Sequence, residues 1–250
     1  MPTSATAAAT APPSLRTGPG AIDVDDVFAT PAPARPSTRV LGLLVLAATV
    51  ASATVVALDP MATGQGARAI LQSIADHAGL HRGVHVVAQL CLVAFAAGVA
   101  AIGARLGSRR PAIVLGVTAY LAGCGALLCA TVFDGFITPD LALRYLRPGI
   151  DPEMGLHLVR LAGMAVTDLS AVGWGLQAVG IVGLSAALLA NGGTDRRFGI
   201  AGLVGGIAPL AAMAAAWPVM DTTVVVAVLL SQAAWNVTAG WLLLRRSPAR

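Results

Sequence analysis

No lysine occurs anywhere in the chain; all sixteen basic residues are arginine. Charged residues of both signs together make up only 11% of the sequence, where soluble domains carry about 25%. Aromatic residues make up 4%. With so few rings, and with its arginines scattered, the chain has no basic patch interleaved with stacking side chains, and the footprint of a nucleic-acid binder is excluded. The three cysteines, Cys91, Cys124 and Cys129, form no C-x-x-C spacing, so neither a zinc ribbon nor a redox dithiol is indicated. Each lies in an apolar run and reads as a small hydrophobe. Also missing are a Walker loop, a G-x-S-x-G elbow, H-E-x-x-H, C-x-x-C-H and a dinucleotide fingerprint.

What is abundant is apolar sequence: 56% hydrophobic residues and a mean hydropathy of +0.78. Residues 1–39 are rich in Ala, Pro, Ser and Thr without apolar periodicity, which predicts a disordered tail. A transmembrane domain over 40–246 follows, with six runs long enough to cross a bilayer: 40–58, 85–106, 112–133, 161–190, 198–217 and 222–244. A hydrocarbon core of about 30 Å needs about 20 helical residues, and unsatisfied backbone forbids irregular spans. The expected fold is therefore an all-α integral membrane protein, a six-transmembrane-helix bundle with a disordered N-terminal tail. Many of the apolar residues are Ala and Gly, which let helix backbones approach closely in lipid. The triplet Ala51–Ser52–Ala53 has the look of a signal-peptidase site, but the long tail before it favours an uncleaved first span. Trp217 and Trp241 near span ends suit the interfacial belt. Pro209 and the Gly202–Gly206 stretch make the fifth span kinkable.

The arginines fix an orientation. Eleven of them fall in the tail, in the turns after spans 2 and 4, and at the C-terminus; five (Arg68, Arg82, Arg144, Arg147 and Arg160) fall on the other side. The positive-inside rule then puts both termini in the cytoplasm of a cell with this protein in its inner (plasma) membrane. The general look is that of small bacterial multi-pass proteins. Asp59, Asp76, Asp134, Asp140, Asp151, Glu153 and Asp221 take the opposite, outer face, as do all four histidines, His77, His81, His85 and His157.

Odd-numbered spans end alike, in "ALDP" (57–60), "VFDG" (132–135) and "VMDT" (219–222). After the first two, an outer segment of similar length leads to "LHRGVH" (80–85) and "LHLVR" (156–160). This pattern suggests three related helical hairpins, the third stripped down; aspartate at an outer helix end also has the ordinary role of a cap. Ala67, Ile70, Ile74 and Ala78 recur at helical spacing and predict an amphipathic helix in the first outer segment, lying on the membrane or extending span 2. "PDLALRY" (139–145) reads as a new, proline-led helix start after span 3.

His77, His81 and His85 stand four apart, so on a helix they drift slowly along one side. An adjacent pair can grip one ion. The candidate site takes His81 and His85 from helix 2, His157 from helix 4, and Asp134 or Asp59 as a further ligand, with His77 the outlier. Such a set suits zinc, copper or non-haem iron. A second version is haem b with His85 and His157 as axial ligands. The competing explanation is that these histidines are interfacial polar residues bonded to loop backbone or water.

Asp168 is the formal charge placed well inside a predicted span, and an intramembrane carboxylate is costly and suggests function. Candidate polar partners in the bundle are Gln89, Tyr120, Gln177, Gln232 and Asn236. His157 and Asp168, almost three whole turns apart, share one side of a helix. Two functions follow. One is a transporter-like or accessory subunit built around Asp168, with the outer histidine cluster beside it. The other is a metal- or haem-dependent membrane enzyme, redox or hydrolytic, with its centre at the extracytoplasmic face. The expected partners are the lipid bilayer and another membrane protein or a second copy of the chain.

Overall fold

Long apolar runs have one economical solution in lipid, the helix, and the chain takes it six times, once through an internal Pro209. The computed structural model describes residues 37–107, 110–216 and 221–245. The tail up to residue 36, Trp217, the start of the "VMDT" stretch and Arg246 onward lie outside the described residues. In order, the elements are α1 (Thr38–Leu58), α2 (Ala67–Asp76), α3 (Ala78–Leu106), α4 (Pro111–Val132), a π-helical turn (Phe133–Ile137), α5 (Thr138–Tyr145), α6 (Pro152–Asn191), α7 (Gly193–Ala216) and α8 (Thr222–Leu244). Six bodies are long and apolar enough to cross a membrane: α1, α3, the continuous stretch Pro111–Tyr145, α6, α7 and α8. This is an all-α, six-helix, multi-pass membrane protein.

The helices close a ring. Each packs on its neighbour in the chain, α1 on α3, α3 on α4, α4 on α6, α6 on α7, α7 on α8, and α8 returns to α1. Two seams are drawn tight by glycine. A Cβ on Gly123 would stand 2.6 Å from the carbonyl oxygen of Gly173, and one on Gly42 would stand 2.7 Å from that of Gly240. These backbones touch because there is no side chain between them, the packing that lipid-embedded helices favour. Val45, Cys91, Phe95, Tyr120, Ile181, Leu184, Trp235 and Leu243 fill the core inside the ring.

Two helices depart from the sequence reading. The third span was expected to end at Phe133, with a new helix from Pro139. Instead the helix runs on through the π turn to Tyr145. Pro139 has no N–H for the carbonyl of Gly135, and its ring would press on it. The helix widens just before it: the Thr138 N–H bonds the Phe133 carbonyl, and the Thr138 hydroxyl donates to the same oxygen at 3.0 Å. The second span begins at Ala78 rather than His85, after a break at His77. The amphipathic α2 turns Ala67, Leu71 and Ile74 inward. Leu71 and Ile74 meet Ala142 and Tyr145 of α5 in a small second core. Its apolar face therefore packs on protein, and it does not extend span 2 as one helix.

Gly79 and Gly83 in α3 face open space where a Cβ would stand. Glycine in a helix interior costs about 0.8–1.0 kcal/mol relative to alanine. Gly83→Ala is expected to stabilise the protein, raising Tm by about 2–4 °C for a chain of this size. Thermal unfolding in detergent would check this, and a lower Tm would mean the glycine is needed where it stands.

A candidate metal centre

Arginines mark one end of the ring. Arg105 donates to the Leu242 carbonyl at 2.6 Å and Arg110 to the Asn191 side chain at 2.9 Å. The second bond levels the start of α4 with the end of α6. Counting from that end at about 1.5 Å per residue, His85 on α3, Asp134 after α4 and Asp59 after α1 all stand about 32–35 Å away. They share one level, a hydrocarbon thickness from the arginine end.

Three separate constraints bring them together. Pro60 disfavours helical geometry at the residue before it, so α1 stops at Leu58 and Asp59 is extended. The break at His77 starts α3 afresh, and one helical turn separates His81 from His85. Their rings stack, with centroids 6.0 Å apart, and both residues are only 6% exposed. The π turn supplies Asp134 and also Gly135, which lies directly against the His85 ring. π turns inside α-helices recur at functional sites.

One ligand atom each from Asp59, His81 and His85 lies within 4.8 Å of the others. His81 Nδ1 faces Asp59 Oδ1 at 3.5 Å. Both atoms are buried and neither has a hydrogen-bond partner among the described residues. Two ligands on one tetrahedral ion with bonds of about 2.1 Å stand about 3.4 Å apart, so the spacing fits a shared cation. His85 repeats the argument. Its Nδ1 is 2.8 Å from the His81 carbonyl and must donate to it. In the neutral ring Nε2 is then an acceptor, yet it faces the Asp134 carboxylate at 3.1 Å. Two acceptors at that distance need a proton or a cation between them. A ligating histidine commonly gives its other N–H to a backbone carbonyl. Burial pushes the Asp59 carboxyl up from its ordinary range; the His85 ring pulls it down, the Asp134 carboxylate adds to the rise and His81 opposes it, leaving it raised.

His157 is not brought into this group. It is exposed on α6, and by the same count it stands about 51 Å from the arginine end, well above His85. The His85–His157 axial pair for haem b therefore does not form. His77 is exposed as well, its Nδ1 on the Ser73 carbonyl at 2.8 Å. Arg82, also at this end, pairs with Asp140 at the surface. Asp168 too is exposed. It borders a shallow groove with Phe133, Ile137 and Leu161 on the outward side of α6, and it stands about 35 Å from the arginine end, at the edge of a hydrocarbon core rather than within it. The shared side of His157 and Asp168 is thus the outward one. Of the polar residues expected to meet Asp168, Gln89 donates to Thr131 at 3.2 Å, Tyr120 to Asn236 at 2.9 Å and Gln177 to Cys124 at 3.3 Å, while the Gln232 amide has no partner among the described residues. The third aspartate of the repeat, Asp221, caps α8 by accepting from the Val224 N–H at 2.9 Å.

Behind the group lies a cavity of about 270 Å³ inside the ring. Asp59, His85 and Asp134 line one end, and Gln177, Gln232 and Asn236 the other. Nothing in the sequence announced this cavity, because it is formed by side chains from six elements. Compared with known proteins, the chain matches no family model, no curated protein and no solved structure.

Proposed function

We propose that this chain is a membrane-embedded metalloprotein with hydrolytic chemistry, its ion held by Asp59, His81 and His85. One observation carries the reading: Asp59 Oδ1 and His81 Nδ1 are buried, face each other at 3.5 Å and have no hydrogen-bond partner among the described residues. Leaving polar groups so placed is costly, and a cation offsets that cost for both. Two imidazoles and a carboxylate suit zinc or ferrous iron. Three protein ligands are also the number that leaves a catalytic zinc one position for water. Asp134, beside the His85 ring, is the carboxylate suited to take that water's proton. The transporter-like reading drew on the hairpin plan and the absence of catalytic motifs as well as on Asp168 inside the bundle, and of these Asp168 faces outward.

Elemental analysis of protein purified in detergent, without metal-affinity steps, tests the reading. About one zinc or iron per chain is expected. Protein that carries none and takes up neither ion from solution would overturn it. Asp168→Asn should leave the metal content unchanged.

The orientation inferred from the arginines belongs to the same proposal, with the metal group at the extracytoplasmic end of an inner-membrane protein and both termini cytoplasmic. Single cysteines introduced in the cysteine-free background at positions 65 and 148 should react with an impermeant maleimide in intact cells, and those at 108 and 194 should not. Labelling at 108 would reverse the orientation.

A further inference from the structure

The cavity behind the metal group has the wrong lining for a water-soluble ligand. Between its two polar ends the walls are mostly apolar, with Val55, Val56, Leu92, Leu127, Val166 and Leu229 outweighing the hydroxyls of Ser52, Thr131 and Ser170. From His85 to Phe95 on α3, and from Val166 to Gln177 on α6, it runs about 15 Å along the helices. An engineered cavity of about 150 Å³ holds one benzene; at about 270 Å³ this one takes a slim chain. Its deep end is not apolar. Gln232 lines it, is 7% exposed, and has no hydrogen-bond partner for either Nε2 or Oε1 among the described residues. Both amide atoms are buried, and a turn of this side chain toward the cavity would let one ligand group that both accepts and donates satisfy them.

We propose that this cavity binds a single-chain amphiphile, head at the Asp59–His85–Asp134 end and chain directed down the ring, with a hydroxyl or amide on that chain read by Gln232. The proposal rests on the metal-centre reading only for what happens to the head group; the binding itself needs no ion. Trp174 also lines the cavity, which gives a direct readout. Dodecanoic acid brominated at its chain end should quench tryptophan fluorescence saturably in wild-type protein. The saturable part should vanish in Trp174→Phe and in Ala233→Phe, where the new ring fills the cavity. Circular dichroism and metal content would show that both variants fold.

Dodecanoic acid bearing a hydroxyl near the chain end should displace the brominated probe about tenfold better than plain dodecanoic acid, and Gln232→Leu should abolish that preference while retaining saturable quenching. Quenching that rises linearly with probe, or that is equal in wild type and Trp174→Phe, would overturn the proposal. So would saturable binding in which Gln232→Leu leaves an existing hydroxyl preference intact, or in which wild type has none. Metal content is measured on the same samples. Saturable quenching without metal would sink the metal centre and leave the cavity standing; bound metal without saturable quenching would do the reverse.

Discussion

Alanine at His85 is expected to strip the bound ion, taking it from about one per chain to below about one tenth, and alanine at His81 should do the same. The two rings come from adjacent turns of α3 and are nearly buried, so neither can be replaced by a neighbouring side chain or by ready access of water. Removing one of three ligands leaves too few for a stable site. Asp134→Ala should act differently. Its carboxylate faces His85 Nε2, the nitrogen left free to ligate, at 3.1 Å and lies outside the three-atom group, so this variant should keep most of the ion where the two histidine variants lose it. His157→Ala should change nothing, because that ring is exposed on α6. Metal content of the four purified variants separates these outcomes. Retention of the ion by both His81→Ala and His85→Ala would end the assignment, and loss of it in His157→Ala would point to a different ligand set.

The six spans were legible because each is a long apolar run, and length against bilayer thickness is a coarse, robust signal. Membership of the site was only partly legible. His81, His85, Asp59 and Asp134 were all candidates, since helical spacing and helix ends are written locally. The place of His157 was not, because similar loop lengths do not set similar levels. The first outer segment spends its residues on a separate helix, α2, and restarts at Ala78; the second continues α4 through the π turn and reverses near Gly149. α6 consequently begins far above the level of His85, and His157 projects with it. The depth of Asp168 was not legible for the same reason. A run of apolar residues gives the position of a charge within the run, not its depth, and α6, 40 residues long, exceeds any bilayer core. The signal that could have corrected this was Pro152 after Asp151, a strong helix start well before the apolar run begins.

Gly135→Ala should damage the site from outside the ligand set. Gly135 lies inside the π turn, and a Cβ there would overlap the Cβ and ring of His85. Neither side can yield easily: the π turn is held by the bonds of Thr138 to the Phe133 carbonyl, and the His85 ring is held by the His81 carbonyl and Asp134. Overpacking of this kind costs about 1–3 kcal/mol, a fall in Tm of about 2–4 °C per kcal/mol for a chain of this size. Because the strain falls on a ligating ring, metal affinity should drop with it, by about tenfold to hundredfold as for a lost orienting partner. Gly125→Ala on α4 is the matched control, since a Cβ there meets nothing; it should keep wild-type affinity and leave Tm equal or higher. Thermal unfolding and zinc titration of the two variants decide the matter. Wild-type affinity and Tm in Gly135→Ala would show that the contact between the π turn and His85 does not position the site. A fall in Tm with unchanged affinity would place His85 outside the ion's coordination.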